Sequence, residues 1–231
     1  MVFLGYADWL LRAAAALIAV ISGVTILERR RDGAGKLMAG AAFVLFAGIV
    51  CELLPRVLGA GALGRAAGRM GWLLAITVIP ILLSLLWEKL YGKKPGYYAE
   101  MLLRDVSGIR ALACIVLPVI LLSGSMQGEL YDPYAGTPAY LRLIEPGVRS
   151  ITLCVAVIVV SRHWRAAREE IPALRSVWLW LLGAALFEIA ADLGGGLVPA
   201  LQMPELLSLA CLAAILLIFV RYAGEAAGEI T

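Results

Sequence analysis

Seven long apolar runs, separated by loops alternately rich and poor in lysine and arginine, leave this chain few ways to fold. In hydrocarbon every backbone N–H and C=O must be satisfied internally, and a helix of about 20 residues does so while crossing the bilayer. The runs lie near 8–27, 37–57, 71–91, 107–124, 147–162, 177–196 and 204–222. They predict an all-α integral membrane protein with seven transmembrane helices, forming a single polytopic membrane domain over residues 1–231. A soluble fold is excluded by composition: 62% of residues are apolar and 16% charged, against about 45–50% and about 25% in soluble domains. The longest polar interval, Glu88 to Arg110, is too short to build a core of its own. No basic stretch precedes the first run and no small-residue cleavage site follows it, so it reads as a span and not as a cleavable signal.

Lysine and arginine set the expected orientation. Arg29, Arg30, Arg31 and Lys36 fall between spans one and two, and Lys89, Lys93, Lys94, Arg104 and Arg110 between three and four. Arg162, Arg165, Arg168 and Arg175 lie between five and six, and Arg221 opens the tail. The opposite side holds Arg56, Arg65, Arg69, Arg142 and Arg149. The N-terminus is therefore expected outside and the C-terminus in the cytoplasm, in a prokaryotic cytoplasmic membrane. Arg56, Arg65 and Arg69 oppose this pattern, and a short interfacial helix between spans two and three is the expected reason. Trp9 and Trp72 are placed at the outer interface, and Trp87, Tyr91, Trp164, Trp178 and Trp180 at the inner one.

Several chemistries are excluded by missing residues. The four lysines, Lys36, Lys89, Lys93 and Lys94, are all at loops, so the last helix has no Schiff-base lysine for retinal. The single histidine, His163, rules out bis-His haem and three-His zinc. Glu169-Glu170 before Arg175 misses the prenyl-protein endopeptidase spacing by one residue and has no companion intramembrane histidines. No serine-nucleophile or phosphate-loop motif occurs. Cys51, Cys114, Cys154 and Cys211 stand alone in apolar runs, without disulfide or metal spacing. No cofactor, metal site, catalytic residue or nucleic-acid partner is expected.

Ionisable residues within the spans carry the functional reading, since each costs about 2.5–3.5 kcal/mol at a helix centre. They are Arg12 in span one, Glu52 in span two, Glu188 and Asp192 in span six, and Arg149 at the start of span five. Glu188 and Asp192, four residues apart, share one helix face, with Glu188 near mid-depth. The set points to an outward-opening polar cavity for a small-molecule or cationic ligand, a metal ion or protons, or to ion pairs that hold helices together. Pro80 and Pro118 are expected to kink spans three and four, and Gly194, Gly195 and Gly196 to loosen the end of span six. The loop Ser125–Gly147 is placed to cover the cavity.

Three functions fit these residues. The first is a sensor or ligand-binding module, whose topology resembles the seven-helix sensing regions joined to bacterial signalling enzymes, in helix count and orientation only. With about ten residues after the last span, such a module is expected to signal through a separate partner protein. The second is a small proton- or cation-coupled transporter with a 3+1+3 helix arrangement, suggested by a weak likeness of spans one and two to spans five and six. The third is a non-catalytic subunit of a larger membrane complex.

Overall fold

The computed structural model describes residues 2–59, 61–94, 97, 174–195 and 203–228. Among these the fold is all-helical and contains no strand: α1 (Val2–Arg29), α2 (Gly33–Val57), α3 (Ala62–Leu90), α4 (Arg175–Gly195) and α5 (Met203–Ala226). Four stretches are long and apolar enough to cross a membrane: Trp9–Arg29, Gly33–Pro55, Met70–Leu90 and Glu205–Ala226. They coincide with expected spans one, two, three and seven. In α4 the apolar stretch among the described residues is Ser176–Glu188. Spans 107–124 and 147–162, Arg149, Pro118, Gly196, His163 and the loop Ser125–Gly147 lie outside the described residues.

Each turn has a local cause. Asp32 caps α2, its Oδ1 accepting from the Gly35 amide at 2.8 Å and from Arg30 Nε at 2.9 Å. α2 does not run on into the Gly/Ala-rich segment; it ends at Val57, and Gly59 then takes φ 61°, a conformation suited to glycine. After Leu90, Gly92 at φ 60° lets the Lys93 amide reach the Glu88 carbonyl at 2.8 Å, the Schellman ending of α3. The segment carrying Arg65 and Arg69 is helical, but it is no separate interfacial helix: it forms the opening turns of α3. Pro55 and Pro80 lie inside α2 and α3. Gly194 and Gly195 are the last two residues of α4.

Neighbouring contacts run in the order α3, α2, α1, α5, α4. At one end Trp87 meets Trp178 edge to face, with centroids 4.6 Å apart, and returns α4 to α3. At the same end the Arg30 guanidinium lies 5.2 Å over the Tyr222 ring, tying the α1–α2 turn to the end of α5. The C-terminal ends of α1, α3 and α5 and the N-terminal ends of α2 and α4 therefore gather together. With them come Arg29, Arg30, Arg31, Lys36, Lys89, Lys93, Lys94, Arg175 and Arg221. These bases, separated in sequence, lie at one end of the described helices.

Lipid tails give apolar helices no hydrophobic reason to associate, so close packing has to hold them. α2 and α3 meet along small residues. A Cβ on Gly48 would lie 2.5 Å from that of Ala75, and one on Gly71 would lie 2.7 Å from that of Cys51. A Cβ on Gly68 would overlap the Cys51 carbonyl oxygen, which is backbone and has little room to yield. Trp72, Trp87 and Trp178 are at most 1% exposed. This corrects their expected role: they pack between helices and do not present an indole at the membrane interface, whereas Trp180 is 43% exposed. The outward faces of α1 and α3 carry Leu10, Leu17, Ile21, Leu74 and Ile81, as a lipid-facing surface requires.

Gly68→Val is expected to cost about 1–3 kcal/mol through overpacking at the α2–α3 contact. A thermal melt in detergent checks it, and an unchanged midpoint would contradict the close approach. Asp32→Ala should remove about 1 kcal/mol by loss of the α2 cap. Burial opposes the charged form of Asp32, but the hydrogen bonds from Arg30 and Gly35 together hold its carboxyl below the ordinary value. A depressed folded-state value stabilises the fold above the unfolded carboxyl range, and that stabilisation is lost as pH falls through the lower, folded value. The cost of Asp32→Ala should therefore shrink towards strongly acidic pH.

Candidate functional site

At the end opposite the bases, three helices meet on one arginine. Arg12 of α1 donates from Nη1 to Glu52 Oε2 of α2, and from Nη2 to Glu205 Oε2 of α5 at 2.8 Å. The Arg12 and Glu52 side chains are 4% and 3% exposed, and that of Glu205 is 18% exposed. The two carboxylates take separate nitrogens of one planar guanidinium, an arrangement that lysine, with its compact charge, does not reproduce.

Depth follows from helix rise. Arg12 lies about 25 Å along the axis from Arg29, and Glu52 about 28 Å from Gly33, at 1.5 Å per residue. In a hydrocarbon core about 30 Å thick, the cluster falls near the edge away from the basic end. That position limits the cost of desolvating the charges, and their mutual hydrogen bonds offset what remains.

Of the residues singled out in the sequence, Arg12 and Glu52 are thus brought into direct contact. Glu188 is buried, at 4% exposure, on the inward face of α4 with Leu181, Ala184 and Ala185. Its level is set by Gly183, where a Cβ would lie 3.3 Å from Cys211 Sγ on the antiparallel α5. Counting along both helices from that contact places Glu188 level with Leu206. It thus stands level with the first turn of α5. Asp192 lies one turn further along α4.

Glu205 escapes the sequence reading. It follows Pro204 at the very start of the seventh expected span and belongs to the first turn of α5. The available signal is the run Met203-Pro204-Glu205-Leu206-Leu207: proline is tolerated in a first helical turn, an acid there complements the helix dipole, and the apolar run begins at once. Among the described residues, no group of three or more histidine, cysteine, aspartate or glutamate side chains is disposed to hold a metal ion.

Arg12→Met is expected to lose about 3–5 kcal/mol, because Glu52 would keep its burial without its guanidinium. Arg12→Lys should recover only part of this, and Glu205→Gln should cost less than Glu52→Gln because Glu205 is the more hydrated partner. Denaturation in mixed micelles ranks the four variants. Equal losses for Glu52→Gln and Glu205→Gln would contradict the difference in burial.

No protein-family model, curated protein or solved structure matches this chain. Its function is read from the geometry alone.

Proposed function

We propose that the chain is a seven-helix membrane sensor or ligand-binding module, with its N-terminus outside and C-terminus in the cytoplasm. Its polar site opens outward at Arg12, Glu52 and Glu205. The observation that carries this reading is the graded exposure of the cluster: two charges sealed at 4% and 3%, and a third partner, Glu205, at 18%. A pair whose only task is to join helices needs no hydrated member. Glu205 offers a ligand from the outer water a way to compete for, or add to, the bonds at Arg12.

Orientation is supported by the gathering of nine bases at the other end, which the positive-inside rule places in the cytoplasm. Ligand sign is supported by the two carboxylates that meet at Arg12, Glu52 and Glu205, which a cationic ligand could engage.

The second reading is a small proton- or cation-coupled transporter. It is favoured by the placement of Glu188 on α4 while its acidic neighbours sit on α2 and α5, so that relative helix movement would alter the site. Cation-dependent uptake into proteoliposomes separates it from a sensor. A partner that co-purifies in fixed stoichiometry would instead favour a non-catalytic subunit of a larger complex.

The test is a thermal-shift screen of purified protein across cations and small cationic metabolites, with Glu205→Gln and Glu188→Gln alongside. Stabilisation of the parent protein that disappears in Glu205→Gln is expected. Stabilisation by nothing, or equally in all three proteins, would contradict an outward site and leave the cluster a helix clamp. An epitope at the C-terminus should be protected in intact cells, and one at the N-terminus accessible. The reverse pattern would invert the topology.

A further inference from the structure

Where α2 and α3 run side by side at the basic end, each helix brings a lysine to their seam. Lys89, at the end of α3, lies across the start of α2: a Cβ on Gly33 would overlap its Nζ. Glycine at 33 is what leaves the ammonium that place. Lys36 follows three residues later and Gly40 seven later, so the three share one face of α2. Gly40 shows that this face borders α3, since a Cβ on it would lie 3.9 Å from Leu82 Cδ1. On α3, Lys89, Leu85 and Leu82 stand four and three residues apart and likewise share a face.

The seam is open on its outer side, charged at its end and apolar below. Lys36, Lys89 and Leu85 are exposed, while Gly33, Gly40 and Leu82 are half-buried. Both lysines belong to the last turn of a membrane-spanning stretch, Gly33–Pro55 or Met70–Leu90. There a lysine lays its stem on apolar surface and holds its ammonium at the headgroup level. Neither lysine is paired with a carboxylate among the described residues. Asp32, next to Gly33 in sequence, is engaged by Arg30 at 2.9 Å, and Glu88, next to Lys89, is buried.

We infer that this α2–α3 seam holds one anionic phospholipid, its headgroup phosphate at Lys36 and Lys89 and an acyl chain along Gly40, Leu82 and Leu85. Lysine meets phosphate as a point charge, and two of them from separate helices suit a group that offers several oxygens. Clustered bases at the membrane surface draw anionic lipids, and the other bases of this end add to that field. A zwitterionic lipid carries its own cation, which the lysines repel. An acidic protein could meet the lysines but would leave the apolar groove beneath them unfilled. This site lies at the opposite end of the helices from Arg12 and is independent of the reading given to that cluster.

Native mass spectra of the full chain, released from detergent micelles holding equal amounts of phosphatidylglycerol and phosphatidylcholine, test the inference. One phosphatidylglycerol should be retained in preference. Lys36→Gln and Lys89→Gln should each weaken its retention about fivefold. Arg221→Gln removes an equal charge from the same end, on α5, and should leave retention unchanged. Gly40→Leu keeps both lysines but fills the groove, and should also lose the lipid. At Gly40 an added Cβ makes only ordinary contact, so a thermal melt should show this variant folded. An equal loss in Arg221→Gln would overturn the seam in favour of diffuse attraction to the whole basic end. Equal retention of the two lipids, or retention that survives Lys36→Gln with Lys89→Gln, would overturn it outright. Loss in the lysine variants but not in Gly40→Leu, with displacement by inorganic phosphate, would make this an anion site without a lipid chain and contradict the proposal.

Discussion

A guanidinium within the span of a membrane helix dominates the physics of this chain. Arginine stays charged under any ordinary condition, so Arg12 cannot avoid its desolvation cost by releasing a proton. It has to find acceptors, and it finds them on two other helices, Glu52 of α2 and Glu205 of α5. Three helices separated by up to 193 positions in sequence are thereby fixed at one level. A methylene more or less along α1 would break the match, so the charge sets the register of helices that apolar contact alone would let slide.

Close packing supplies what the charge does not. The contact of α2 with α3 is dense because Gly48, Gly68 and Gly71 remove side chains where the backbones approach. The other end is secured differently, by Trp87 against Trp178 and by Arg30 over Tyr222. The molecule thus has a basic, aromatic-stapled end and an end where acids surround an arginine. This asymmetry links the fold to the proposed function: one end is fixed by packing, and the other holds charged groups whose bonds a ligand can alter.

Much of this was legible in the residues. Apolar length alone locates α1, α2, α3 and α5, since a run of about 20 residues has one solution in hydrocarbon. Arg12 and Glu52 stand out because charge within such a run is costly. Their pairing was not legible, as periodicity gives a residue's depth but not the neighbour it faces. Glu205 was missed for a related reason: at the edge of a run, beside Pro204, an acid costs little and draws no notice. The tryptophans show the converse error. Trp72, Trp87 and Trp178 sit near span ends, where indoles favour the headgroup region, but depth does not say whether a ring faces lipid or a neighbouring helix. Gly48 of α2 lies against Trp72 and leaves room for it, and that complementarity appears only once α2 and α3 are side by side.

The central claim is that Arg12, Glu52 and Glu205 act as one unit, and a double-mutant cycle measures it most directly. Arg12→Gln, Glu52→Gln and their combination, followed by the same cycle with Glu205→Gln, would be compared by reversible unfolding in mixed micelles. The account predicts strong non-additivity in both cycles, larger for Glu52, because once the guanidinium is gone neutralising its carboxylate partner should relieve the fold and not harm it further. Losses that simply add would mean that the three residues act independently, and the cluster would cease to be the joint on which the helices and the proposed site depend.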